Sequence, residues 1–201
     1  EQEVFSRQEL IDKFSLDRVQ RSGARFDEQR LLWLNGQHIR NLSLDDLSSR
    51  VDSGNFWPAS AAQAEPSYRR AVLTLAQDRL KTFSDLSVLT SYFFEEPAVD
   101  MSLITDNKQL KKLSTEEQTK LLQATTDSLS EVEDWSSQTI QDSLNTLLET
   151  TGQKPGTLFS LIRIAVTWAP FSPQLNDTLE LLGRDKTIQR LQLASQSIGS
   201  N

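Results

Sequence analysis

The sequence predicts an all-α protein of two consecutive helical bundle domains, and three observations carry that expectation. Apolar residues recur at helical spacing, and no stretch alternates as a half-buried strand would. Capping and breaking residues punctuate the chain where helices should start and stop. The 201 residues, 37 % of them hydrophobic, suffice to bury one good core or two small ones.

Each element has its own signal. Asp27 stands as an N-cap before Glu28, and Leu31, Leu32, Trp33 and Leu34 form an apolar knot closed by Asn35-Gly36, a short helix and a turn. Pro66 at a first helical position opens a helix whose Tyr68, Ala71, Val72, Leu75 and Arg79 share one stripe. Ser84 is placed to cap the next helix, whose apolar set Leu86, Leu89 and Phe93 ends near Pro97. Ser114 and Glu117 make a capping box for a helix burying Leu121, Leu122, Thr125, Leu129 and Val132. Ile140, Leu144, Leu147 and Leu148 follow at helical spacing, stopped by Gly152. Residues 157–168, TLFSLIRIAVTW, are apolar nearly all round, which marks a helix in the middle of a bundle. Pro170 and Pro173 then break the chain before a helix carrying Leu175, Leu179 and Leu182, with Gly183 as its C-cap and Asp185 as the next N-cap before Ile188 and Leu191. The polar tail from Ser195 is expected to fray. Residues 52–66 read as a loop inside a helical domain, and residues 95–112, with Pro97 and a small basic group, as the boundary between two domains.

Composition narrows the function. No apolar run approaches the roughly 20 residues of a membrane span, and the N-terminus EQEVFSRQEL lacks a basic-then-apolar signal, so a soluble cytoplasmic chain without a membrane partner is expected. With no cysteine and one histidine, disulfides, thiolate zinc sites and imidazole-rich metal sites are excluded. A net charge of −7 argues against nucleic acid at first. The acidity is local, however. Between residues 113 and 151 stand Glu116, Glu117, Asp127, Glu131, Glu133, Asp134, Asp142 and Glu149 against Lys120 alone, and the rest of the chain is neutral. Such a protein can bind RNA on one face and repel it on another.

No catalytic constellation is present. Nucleophilic catalysis wants a base beside Ser or Thr, and His38 reads as a partly exposed loop or helix-end residue with no second ligand type beside it. Gly23 and Gly36 are too isolated for a phosphate cradle. Glu95-Glu96 and Glu116-Glu117 are adjacent pairs, which diverge on a helix rather than converge as a general acid and base.

Three ordered blocks decide among the remaining readings. FDEQRLLWLNGQHIR at residues 26–40, with FSLDRV upstream at residues 14–19, resembles the segment that bacterial glutamyl-tRNA synthetases carry after their active-site domain. YRRAV at residues 68–72 follows at compatible spacing. KPGTLFSLIRIAVTW and LELLGRDKTIQRLQLA, residues 154–168 and 179–194, resemble the end of those enzymes, with their Lys-x-Gly-x-Leu turn, Leu-Arg-x-Ala-x-Thr helix and Leu-Leu-Gly-[Lys/Arg] corner. The family often has Pro where Leu161 stands and Gly where Trp168 stands. Its ATP-binding signatures, His-x-Gly-His-like and Lys-[Met/Leu]-Ser-Lys-Arg, are absent.

The resemblance implies the end of a stem-contact segment at residues 1–43, a first helical anticodon-binding domain at 44–104 and a second at 105–201. It implies tRNA(Glu) as partner, no DNA, a monomer, and a catalytic domain outside this chain that uses ATP and Mg2+ to attach glutamate; this chain itself would hold no cofactor. By motif, Arg30 and Trp33 fall where the stem-contact segment touches the inner corner of tRNA; on the residues alone they read as a salt-bridged arginine and a core tryptophan. Arg79 matches the arginine that discriminating members place over the first anticodon base, and otherwise reads as a cation at a helix C-terminus. Arg163 matches an arginine facing the anticodon loop, and a lone charge in so apolar a helix must pair or reach a ligand. Ser172 and Pro173 match a loop that reads anticodon bases through close backbone contact. The alternative is a helical protein-interaction module whose functional face is the acidic stretch 113–151.

Overall fold

Several helix starts in this chain are set by side chains that satisfy the first backbone N–H groups. The computed structural model describes residues 2–19, 23 and 25–200, and among them the regular structure is entirely helical. The α-helices are α1 (Arg7–Lys13), α2 (Glu28–Arg40), α3 (Leu44–Ser53), α4 (Pro66–Ala76), α5 (Asp85–Phe94), α6 (Ser102–Thr105), α7 (Thr115–Ser130), α8 (Ser137–Thr151), α9 (Pro155–Thr167), α10 (Leu175–Leu182) and α11 (Arg184–Gly199), with short 3₁₀ turns at Leu16–Arg18, Ala59–Gln63, Gln77–Arg79 and Leu110–Lys112. No helix of the described residues is long and apolar enough to cross a membrane.

The local signals are realised where they are self-contained. Asp27 caps α2 by accepting from the Arg30 N–H, Ser114 and Glu117 close a capping box on α7, and Gly152 ends α8 with φ +64°. Pro66 opens α4. α9 buries Leu158, Leu161, Ile162, Ile164, Ala165, Val166 and Thr167, as befits a helix with almost no polar face.

Two apolar clusters form. The smaller joins Ile39 of α2, Leu47 and Val51 of α3, Leu73 and Ala76 of α4, Leu80, and Leu86 and Leu89 of α5. The larger gathers α7–α11 around α9 and also takes Val72 of α4 and Tyr92 and Phe93 of α5. Adjacent residues of α4, Val72 and Leu73, thus enter different clusters, so α4 is gripped from two sides. Trp57 packs against both clusters and meets Phe94 edge-on, as does Tyr68. The Tyr68 hydroxyl lies 3.4 Å from the Phe93 carbonyl and 3.3 Å from that of Leu181, tying α4 to α5 and α10.

A buried arginine fastens the segment after α5. Arg190 of α11, 2 % exposed, donates to the Glu96 carboxylate at 3.0 Å and to the carbonyls of Val166, Tyr92 and Glu95. Ile104 and Leu110 are buried in the larger cluster, and the Gln118 amide of α7 donates to the carbonyls of Leu110 and Leu113. The stretch 95–112 is therefore packed onto the α7–α11 core.

Four expectations are corrected. Asn35-Gly36 does not end a helix: α2 continues to Arg40, because Gly36 sits where the backbone at Leu80 and Lys81 crosses it. Ser84 makes no side-chain cap; instead the Asp85 carboxylate accepts from the N–H groups of Lys81 and Thr82. Gly183, not Asp185, is the N-cap of α11, since its φ of +85° and ψ of 158° make a bend open essentially to glycine alone. The tail does not fray at Ser195: α11 runs to Gly199 because Ile198, 2 % exposed, joins the core.

Candidate nucleic-acid interface

α4 passes without a break into the Gln77–Arg79 turn, and its grip by both clusters fixes where that turn lies. Leu80 follows, fully buried, so the chain dives inward immediately after Arg79. Arg79 itself is exposed, and its guanidinium makes no hydrogen bond or ion pair among the described residues. It lines an open groove of about 740 Å³ whose walls are α4 and α10, with Leu75, Asp78, Gln174, Asp177 and Glu180 among its neighbours.

Arg163 is brought toward the same place from α9. It is half-buried, and its Nε donates to the Ser172 Oγ at 2.9 Å. Its terminal nitrogens bond nothing among the described residues. Burial, and then the neighbouring positive charge of Arg79, lower the Arg163 pKa below that of an ordinary guanidinium. An arginine nevertheless stays charged. Two cations from different elements are thus near neighbours, Arg79 lining the groove and Arg163 held beside the α9–α10 bend, and the outer fork of each has no protein partner among the described residues, so each can donate to an anion or a polarised base edge. Asp177 and Glu180 on the groove wall temper the field; Asp177 accepts a hydrogen bond from Ser137.

Ser172 and Pro173 are both buried. The Ser172 hydroxyl accepts from Arg163 and donates to the Pro173 carbonyl at 3.0 Å, so its side chain works by orienting Arg163. The exposed members of this loop include Phe171, 60 % exposed, and Gln174, which lines the groove. Neither was singled out by sequence reasoning. The available signal for Phe171 was an aromatic held in a Pro-Phe-Ser-Pro bend, which cannot be folded into either flanking helix.

Arg30 and Trp33 lie apart from the groove, in the N-terminal part of α2. Arg30 pairs with Glu3 at 3.1 Å with both side chains largely in solvent, a contact of small strength. Trp33 is 42 % exposed and Leu31 50 %, so the apolar knot expected at residues 31–34 is not a core among the described residues. The acidic stretch is spread along α7 and α8: Glu117 is engaged in the capping box, Glu116 pairs with Lys120 at 2.9 Å, and Asp127 and Asp142 accept from Gln123 and Gln138 one turn away. That is the pattern of a solvated helix face. His38 is exposed in the last turn of α2.

A model of the anticodon binding domain family matches residues 46–195. The chain is similar to the glutamate–tRNA ligase of Roseiflexus sp. (strain RS-1), 33 % identical over 202 residues that cover 98 % of this chain and 39 % of the relative. It is also similar to that of Roseiflexus castenholzii, 36 % identical over 203 residues that cover 96 % of this chain and 38 % of the relative. Among solved structures, a glutamate tRNA ligase from Elizabethkingia meningosepticum superposes with a TM-score of 0.68 at 22 % identity, over 95 % of this chain and 36 % of that one. A glutamate-tRNA synthetase from Elizabethkingia anophelis gives 0.65 at 23 %, over 94 % and 36 %. The chain thus spans about two-fifths of the length of the curated relatives it matches, and the match is to their C-terminal region.

Proposed function

The chain belongs to the anticodon-binding domain family, and from that membership we propose that it is the part of a glutamate–tRNA ligase that recognises the anticodon of tRNA(Glu). A catalytic region outside this chain would attach glutamate, using ATP and Mg2+. The observation that carries this reading is the proximity of Arg163 to Arg79, the arginine that lines the α4–α10 groove, with neither in a carboxylate ion pair among the described residues.

Single-stranded loops are read by splayed bases that stack on planar side chains and hydrogen-bond along their edges. Arg79 can reach such a base from the turn, and is assigned to the first anticodon base. Arg163, held through Nε, keeps its outer fork for the loop, and Ser172 and Pro173 hold it there. Phe171 offers a bare ring for stacking beside them. Arg30 and Trp33 of α2 are assigned to the inner corner of tRNA, and the exposure of Trp33 favours a contact role over a core one. The protein would act as a cytoplasmic monomer, with no DNA or membrane partner.

The test is a titration of tRNA(Glu) against tRNAs with other anticodons over a range of salt concentrations. Tighter binding of the glutamate anticodon at every salt is expected; indifference to the anticodon sinks the reading. The chain alone is expected to give no glutamate-dependent pyrophosphate exchange, and such exchange would overturn the assignment of chemistry to another region.

A further inference from the structure

The WLNGQHIR run of α2 is the most distinctive string in the sequence, yet only Trp33 within it has been given a task. Asn35, Gly36 and Arg40 of the run meet the turn that carries Arg79. The Asn35 side-chain amide donates to the Lys81 carbonyl. Arg40 Nε donates to the Asp78 carbonyl at 3.0 Å. Gln77 of the turn reciprocates, its amide reaching the carbonyls of Ile39 at 3.0 Å and Leu42 at 2.9 Å, at the C-terminal end of α2. Between these bonds the backbones approach closely: a Cβ at position 36 would lie 3.2 Å from the Leu80 carbonyl oxygen and 3.6 Å from the Lys81 Cα, so a side chain there would push the Leu80 backbone aside while glycine leaves it in place.

We propose that Asn35, Gly36 and Arg40 are positioning residues for anticodon discrimination, holding residues 77–82 against α2 so that Arg79 projects into the groove at one fixed place. The inference rests on the reading of Arg79 given above. On the opposite side the turn is braced by Asp85, which accepts from the Lys81 and Thr82 N–H groups at 3.0 and 2.8 Å. Arg79, with no hydrogen-bond or ion-pair partner among the described residues, takes its position from this backbone. The same helix carries Arg30 and Trp33, and Gln37 can link Trp33 to Arg40: with its amide turned so that the oxygen faces both donors, that oxygen accepts from Trp33 Nε1 at 3.3 Å and from Arg40 Nη1 at 2.8 Å. The ten-residue separation of Arg30 and Arg40 along α2 makes the helix a strut of about 15 Å between them. It would fix the spacing between the tRNA corner and the base that Arg79 reads.

Asn35→Asp is isosteric and removes the donor to Lys81. Gly36→Ala pushes on Leu80, while alanine is the better helix former and leaves α2 intact. Each variant, made in the whole chain, is compared with Arg79→Gln in two measurements. One is amide hydrogen exchange across residues 77–82. The other is the ratio of affinities for two anticodon stem-loop RNAs that differ only in the first anticodon base, C or U. Faster exchange in 77–82 with unchanged exchange in α7–α9 is expected, together with a ratio reduced about fivefold, the effect of misplacing one hydrogen-bonded contact. No further reduction is expected when either variant is combined with Arg79→Gln. Unchanged exchange overturns the proposal, as does faster exchange with an intact ratio when Arg79→Gln alone alters it. If Arg79→Gln alone leaves the ratio intact, the reading of Arg79 fails, and the positioning role falls with it.

Discussion

Arg163 and Ser172 hold one another across the bend between α9 and α10. The arginine Nε donates to the serine Oγ at 2.9 Å, and the serine hydroxyl donates in turn to the Pro173 carbonyl at 3.0 Å. A long side chain is thereby restrained through its inner nitrogen, while its outer fork stays free. The ordering entropy of an arginine is then met before any ligand arrives.

Arg163→Ala is expected to weaken tRNA binding by about 1–3 kcal/mol, the range of a base-reading arginine. Ser172→Ala should cost less, about 1 kcal/mol, by freeing the arginine to wander. The double variant should fall short of the sum, since both act through one fork. Affinity and helicity are measured together. Lost helicity with unchanged affinity per folded molecule would make Arg163 a structural residue.

Arg79→Gln should change the preference between tRNAs that differ only at the first anticodon base, because a planar cation there can stack on or bond a pyrimidine. Since Arg79 has no hydrogen-bond or ion-pair partner among the described residues, stability should move by no more than about 0.5 kcal/mol. Competition binding and thermal unfolding check the two halves. A normal fold with an unaltered preference removes Arg79 from the reading site.

Arg190→Met is expected to destabilise the protein by about 3 kcal/mol, because the carbonyls left without a donor each cost about 1–3 kcal/mol while the methionine keeps part of the packing. It strips a donor from the Val166, Tyr92 and Glu95 carbonyls at once. Glu96→Gln should be mild, under about 1 kcal/mol, because that carboxylate is largely in solvent. The hydrogen bond from Arg190 holds the Glu96 carboxyl below its usual value of 4.5. A depressed carboxylate contributes its stability in full above that value and loses it as pH falls through the lower folded value. The gap between wild type and Glu96→Gln in urea unfolding should therefore be present at neutral pH and close in acid. A gap that widens in acid would contradict the assignment.

Trp168 ends α9 in the left-handed region, at φ +41°, its N–H bonded to the Ile164 carbonyl at 2.8 Å. Trp168→Gly and Trp168→Ala both forfeit the ring, but only glycine is relieved of the left-handed cost. The glycine variant is expected to be the more stable of the two by about 1 kcal/mol. Equal unfolding midpoints would show that the backbone carries no strain there.

By itself the sequence determined what short-range physics writes into neighbouring residues. The Ser114–Glu117 capping box and the Asp27 cap each close within one helical turn, and the stripe from Ile140 to Leu148 is a period rather than a destination. The all-α class follows from such signals, and the ordered blocks pointed to the family. Tertiary structure decided where those signals were outvoted or silent. Asn35-Gly36 reads as a turn, yet α2 runs through it because packing against Leu80 rewards a missing side chain. Asp185 reads as a cap, but the bend at Gly183 starts the helix earlier. Ile198 kept a polar tail helical because the core accepted it. The convergence of Arg79 with Arg163, the withdrawal of Ser172 into the interior and the exposure of Trp33 are written in no local pattern. They arise from which helices share a cluster, a sum of many weak contacts between residues far apart in sequence, and only the folded chain performs that sum.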